Sequence, residues 1–264
     1  MNNCENIKLI ATDLDKTLLR TDKSISAYTS RILRECKRRG ILIAFATMRS
    51  EHSSRRFTEI IKPDAIISSG GALARTGDTI IYRAVMDVET TSGLIRALLD
   101  SPDVGLITVE TDAGYFTSEQ IDADDPVWAD FLPARYVDMS KLTNSECYKI
   151  GVEIFSADAA NRIASAFPTV SVISFTGEDW YRFGDIRADK WNGVRALADH
   201  AGVGCGHVAA FGDDFSDVGM LRGCGVSVAV SDAIDELKSI ASHICGACDD
   251  DGVAKWLEEH VLSS

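Results

Sequence analysis

The chain has no apolar run approaching the roughly eighteen residues a membrane span takes, and its first residues lack the basic and then apolar stretch of a secretory leader. The expected location is the cytoplasm, with no membrane partner. Positive charge is in short supply: 27 Lys and Arg stand against 40 Asp and Glu, a formal net charge of −13. A field of that sign repels nucleic acid and anionic membranes, so no nucleic-acid partner is expected. A disulfide framework is also missing. The seven cysteines, at positions 4, 36, 147, 205, 224, 245 and 248, are odd in number and scattered, which fits reduced thiols. Cys245 and Cys248 form a lone C-x-x-C, whereas a structural zinc site needs a second ligand pair. No staple is required, because 264 residues at 45% hydrophobic content can bury a core of one large domain or two small ones.

What the chain does have is an alternation of strand and helix. Ile7, Leu9, Ile10 and Ala11 read as a buried parallel strand, followed by a helical pattern from about Ser26 to Arg39 that stops at Gly40. ILIAFA from Ile41 is the next strand, a polar helix spans about Glu51 to Ile61 before Pro63, and AIIS from Ala65 is a third strand. This β-α-β-α-β order implies right-handed crossovers and a parallel sheet. The pattern changes between about Ala84 and Asp185. There GLITVET and GYFT flank the turn Asp112-Ala113, KIGVEIF is a further strand, and VSVISF is joined to WYRF through Thr176-Gly177-Glu178, all hairpin signals. Helical stretches near Val88 to Leu99 and Asp158 to Phe167 separate them. From Lys190 the first rhythm resumes, with a helix to about Ala201, strands HVAAF and VSVAV, a helix over about Ser216 to Leu221 and another over Val253 to Val261. The expected fold is α/β: a discontinuous Rossmann-like parallel-sheet core over 1–83 and 186–264, with an inserted α+β domain over 84–185.

Asp13, Asp15 and Thr17 fall at or just past the carboxyl end of the first strand, where open α/β sheets bind ligands. Neither carboxylate is needed to end a strand, and two crowded acids repel unless a cation or a shared proton compensates them. Magnesium is the expected compensator. FGDDFSDVGML from Phe211 puts Asp213, Asp214 and Asp217 behind another strand and a glycine, as an octahedral all-oxygen magnesium site needs. Thr47 closes a strand in FATMRS, and Lys190 opens a helix in RADKWNGVRAL.

Taken together, these four segments resemble the motifs of the haloacid dehalogenase (HAD) superfamily, specifically the Cof-like phosphatase branch with a type IIB cap, over essentially the whole chain. SSGGALA from Ser68, VSVAVSDAIDELK and CDDDGVAKWLEEHV resemble further segments of that branch. The resemblance implies that Asp13 is a nucleophile forming an aspartyl-phosphate. It implies that Asp15 is the general acid and then the base, with its acidity tuned upward, while its main-chain carbonyl binds the metal. Thr47 and Lys190 are then the phosphate-binding residues, and Asp13, Asp15 and Asp213 hold Mg2+ with Asp217 as a ligand or its partner. Asp214 is expected to face solvent or cap a helix. The implied activity is hydrolysis of a small soluble phosphate monoester, a sugar phosphate or similar metabolite, beneath a cap that closes over it. No oligomeric state is implied. The chain departs from the pattern at Met48, Gly70, Trp191, Ser216 and Asp232, with Trp191 expected to wall the pocket. Two alternatives stay in view: a phosphomutase, which resembles this family in core and cap, and, from the departures at Met48, Gly70, Trp191 and Ser216, a phosphometabolite-binding protein without turnover. Tyr115, Trp128 and Trp180 are read either as packing or as rings that stack on a substrate.

Overall fold

In the computed structural model, which describes residues 6–122, 124–125, 128–131, 133–142 and 144–263, the run LIAT forms β1 (Leu9–Thr12), buried at every position. Cys4 lies outside the described residues. Helix α1 (Ala27–Arg38) begins at Ser26, whose hydroxyl accepts from the Thr29 N–H, and its apolar stripe buries Ile32, Leu33 and Cys36. Strand β2 (Leu42–Ala46) leads to α2 (Glu51–Ile61), capped by Ser50, and β3 (Ala65–Ser68) follows. A hairpin of β4 (Leu73–Thr76) and β5 (Thr79–Arg83) comes next.

The middle of the chain holds α3 (Val88–Leu99), β6 (Val104–Thr111), β7 (Gly114–Thr117), β8 (Ala134–Tyr136), β9 (Lys149–Ile154), α4 (Ala157–Ser165), β10 (Val170–Ser174) and β11 (Trp180–Asp185). The remainder holds α5 (Lys190–His200), β12 (Val208–Gly212), α6 (Val218–Gly223), β13 (Val226–Val230), α7 (Asp235–Ile240), β14 (His243–Cys245) and α8 (Gly252–Leu257). Two compact units result: Met1–Arg83 with Asp189–Ser264, and Ala84–Ala188.

The first unit carries an eight-stranded sheet in the order β14-β13-β12-β1-β2-β3-β4-β5. It is parallel from β14 to β3, with Ala11 opposite Ala210 on one side and Ala44 on the other. The hairpin β4–β5 then adds two antiparallel strands, so the sheet is mixed at this edge rather than parallel throughout. Strand β1 is the switch point. The chain leaves it toward β2 and β3 and later returns to its other side as β12, β13 and β14, which opens a crevice at the carboxyl ends.

The second unit carries a six-stranded sheet, β10-β11-β9-β6-β7-β8, antiparallel except for β7–β8. Here burial alternates along the strand, as in β9, where Ile150, Val152 and Ile154 turn inward. They pack with Val109, Phe183 and the α3 residues Leu94 and Leu98 into a separate core. Tyr115 stacks on Phe131, and Trp128 meets both Phe131 and Trp180 edge-on, so these rings form one aromatic cluster within the unit. Among the described residues, no helix is long and apolar enough to cross a membrane.

Candidate active site

Three neighbouring strands end together and deliver the site. Asp13 follows β1, Thr47 follows β2 and Asp213 follows β12; the Asp13 N–H still donates to the Phe211 carbonyl at 3.0 Å, which fixes its backbone against β12. Lys190 comes from the first turn of α5. That helix start is pressed onto the loop after β3, where a Cβ at Gly71 would fall 2.2 Å from the Asp189 carbonyl carbon, and Gly71 has φ +92°. Only glycine permits both the conformation and the approach. Asp189 caps α5 by accepting from the Trp191 N–H.

Lys190 is 1% exposed, and its ammonium donates to Asp13 Oδ1 and to Asp217 Oδ1, each at 2.7 Å. The other oxygen of Asp217 accepts the backbone N–H groups of Asp213 at 3.0 Å and Asp214 at 3.2 Å. Asp217 therefore ties the lysine to the turn after β12. Asp213 accepts the Thr17 hydroxyl at 2.8 Å. Ligand oxygens of Asp13, Asp213 and Asp217 all lie within 4.8 Å of one another.

Three carboxylates facing one ammonium are under-neutralised, and the acidities show it. Burial pushes Asp13 up to about 7, against the pull of Lys190 and with the repulsion of Asp217 and Asp15. Asp213 is pushed up to about 9 by burial and by the charges of Asp13 and Asp217. Burial opposes the charge on Lys190, but its two carboxylate partners outweigh it and raise its pKa. A group shifted in this direction is short of positive charge, which a bound cation supplies.

Asp15 does not behave as expected. Burial acts to raise its pKa, but hydrogen bonds and charge from Arg49 and Lys23 prevail and hold it down at about 2, whereas the motif resemblance implies an acidity tuned upward. Arg49 donates through Nε to Oδ2 at 2.6 Å and through Nη2 to Oδ1 at 2.9 Å, while Lys23 Nζ reaches Oδ1 at 2.7 Å. Its side chain also stands outside the acid group formed by Asp13, Asp213 and Asp217.

Thr47 is 1% exposed, and its hydroxyl accepts the Arg49 N–H at 3.1 Å. Asp214 caps the turn before α6 by accepting from the Phe215 N–H. Trp191 is partly buried: it lies against Gly223 of α6, where a Cβ would fall 2.1 Å from its ring, and packs on the core. The C-x-x-C thiols are free and buried, and burial raises Cys245 to about 12 and Cys248 to about 11, which keeps both in the thiol form. Lys23 went unread in the sequence, where nothing in its spacing links it to Asp15. Arg49 has a signal, two residues after Thr47 at the same strand end.

A family model described as haloacid dehalogenase-like hydrolase matches residues 10–257. The 5-amino-6-(5-phospho-D-ribitylamino)uracil phosphatase YcsE of Bacillus subtilis is 24% identical, covering 97% of this chain and 97% of its own. The HMP-PP phosphatase of Cronobacter sakazakii is 25% identical over 95% of this chain and 94% of its own. A solved HAD subclass IIB sugar phosphatase superposes with a TM-score of 0.83 at 21% identity, covering 96% of this chain and 98% of that one. The chain belongs to the haloacid dehalogenase-like hydrolases, in their Cof-like phosphatase branch.

Proposed function

We propose that the protein hydrolyses small phosphate monoesters with magnesium, through an aspartyl-phosphate on Asp13. The observation that carries this reading is the group Asp13, Asp213 and Asp217 gathered at the sheet's switch point, with one buried ammonium bound to Asp13 and Asp217. Three carboxylates and one lysine leave a deficit that a divalent cation fills, and an all-oxygen donor set suits magnesium rather than zinc or copper. Asp13 and Asp213 would hold it together with the Asp15 main-chain carbonyl, and Asp217 would brace them from behind. Bound there, magnesium supplies positive charge to the phosphoryl oxygens.

In the first half-reaction an Asp13 oxygen attacks phosphorus, the bond to the ester oxygen breaks, and that oxygen takes the proton of the Asp15 carboxyl. In the second, water attacks the same phosphorus, Asp15 takes the water's proton, and Asp13 departs as inorganic phosphate forms. Lys190 neutralises Asp13 and the phosphoryl oxygens, and the Thr47 hydroxyl grips one of them. Asp15 carries its proton in the first half and gives it up before the second, while the Arg49 and Lys23 donors orient its carboxyl in both.

A sugar or polyol phosphate is the substrate class proposed here, supported by the names of the relatives. Those names are the ribitylamino-phosphate compound of the Bacillus subtilis relative at 24% identity and the sugar phosphatase at 21%, and they support a class and not a particular ester. The test is phosphate release from a panel of esters with magnesium, with and without chelator, beside Asp13→Asn. Metal-dependent release lost in the variant is the expected result. Release that survives the variant would contradict the reading, and phosphate moved within the substrate without release would mark a mutase.

A further inference from the structure

We infer that Lys23 is a positioning residue for proton transfer: its ammonium, clamped from the C-terminal segment, fixes the Asp15 carboxyl in the orientation the reaction uses. The inference rests on the functional reading above.

The geometry is specific. Arg49 by itself engages both oxygens of Asp15, and Lys23 adds a third donor, to Oδ1 at 2.7 Å. Bringing it there strains the backbone. Lys23 has φ 62°, in the left-handed region that a residue with a side chain avoids at a cost of about 1 kcal/mol. The turn is held closed by the Lys23 N–H donating to the Arg20 carbonyl at 2.8 Å and the Arg20 N–H donating to the Ser24 carbonyl at 3.1 Å.

Two anchors then fasten this turn to the distant CDDDGVA segment. The Arg20 guanidinium pairs with Asp251 at 2.7 Å, and the Thr21 N–H and hydroxyl both donate to Asp249, at 2.8 Å and 2.7 Å. The stability such an arrangement returns is small. The side chains of Lys23 and Asp15 are 38% and 31% exposed, and ion pairs this wet contribute little to folding. A strained turn, clamped twice across more than 220 residues of sequence to hold a wet ion pair, is instead accounted for by what the pair orients.

The test exploits the leaving group. An alkyl ester such as glycerol phosphate needs a proton on its departing oxygen, whereas para-nitrophenyl phosphate releases a stable anion without one. Lys23→Met is expected to lower kcat/KM, which ends at departure of the leaving group and leaves out the second half the two esters share, by about tenfold or more on glycerol phosphate and by less than about threefold on para-nitrophenyl phosphate. Lys23→Arg should restore most of the alkyl-ester rate. Both esters are read on one preparation, so partial unfolding lowers the two rates equally and cannot create the split.

Equal losses of kcat/KM on the two esters, or no loss on glycerol phosphate, would overturn the inference. Asp15→Asn and Asp13→Asn locate a failure. The ester split in Asp15→Asn without one in Lys23→Met overturns the role of Lys23 alone, whereas hydrolysis surviving Asp13→Asn overturns the functional reading and this inference with it.

Discussion

Lys190 shows how one residue sets the balance of the site. Its ammonium is almost wholly buried and satisfies two carboxylates that would otherwise repel each other. Removing one partner from such a group leaves uncompensated buried charge, at a cost of about 3 kcal/mol or more. Lys190→Met should therefore melt well below the wild type in metal-free buffer. The same change removes a charge that competes with the metal, so magnesium affinity, read by calorimetry, should be unchanged or tighter while kcat falls by about a hundredfold or more. Weaker magnesium binding in that variant would mean that Lys190 helps to form the metal site. Residue identities at this scale were largely legible in the sequence. Asp13, Lys190, Asp213 and Asp217 do meet, because each stands at a strand end or a helix start whose place the alternating rhythm predicts. The acidity of Asp15 was not legible, since it depends on Arg49, 34 residues away, and Lys23, on a strained turn.

The elements that aim these residues are tested by their caps and contacts. Gly71 lets the loop after β3 seat the start of α5, and Gly71→Ala would have to move the Asp189 backbone and with it Lys190. The expected cost is about 1–3 kcal/mol in stability with a parallel fall in kcat; an unchanged rate would show that α5 is aimed by other contacts. Asp251 offers a test in pH. Burial tends to raise its pKa, but hydrogen bonds from Arg20 and Thr29 outweigh that and lower it. A carboxyl depressed on folding adds stability in full above its unfolded value of about 3.9, and that stability fades as pH falls through the folded value. Asp251→Asn should thus melt below the wild type near neutral pH, with the two converging as pH falls below the unfolded value of about 3.9. A gap that persists in acid would assign the effect to packing.

Element legibility followed length and pattern. Helix α2 was readable because Pro63 stops it, and the structure adds a Ser50 cap and a left-handed Lys62 at φ 53°. Helix α7 and strand β14, six and three residues long, are too short for a period to emerge. The hairpin β4–β5 escaped because its outer strand is mostly exposed or half-buried and lacks the apolar run of a central strand.

At the scale of the whole molecule, a chain of net charge −13 that handles anionic esters must gather its positive potential locally. Magnesium binding and folding are then linked, because only the folded chain brings Asp13, Asp213 and Asp217 together. At a concentration about a hundredfold above its dissociation constant, magnesium should add about 2.7 kcal/mol of stability, visible as a rise in Tm that a chelator reverses and that Asp213→Asn loses. A Tm indifferent to magnesium would contradict the assigned site.

The most direct test of the account is to ask where the phosphoryl group rests during turnover. Acid quenching in the steady state, followed by borohydride, reduces an aspartyl-phosphate to homoserine that mass spectrometry can place in the sequence. The account predicts homoserine at Asp13, absent from Asp15 and absent without substrate. Steady phosphate release with Asp13 unmodified at every quench time would contradict it and point to direct attack by water.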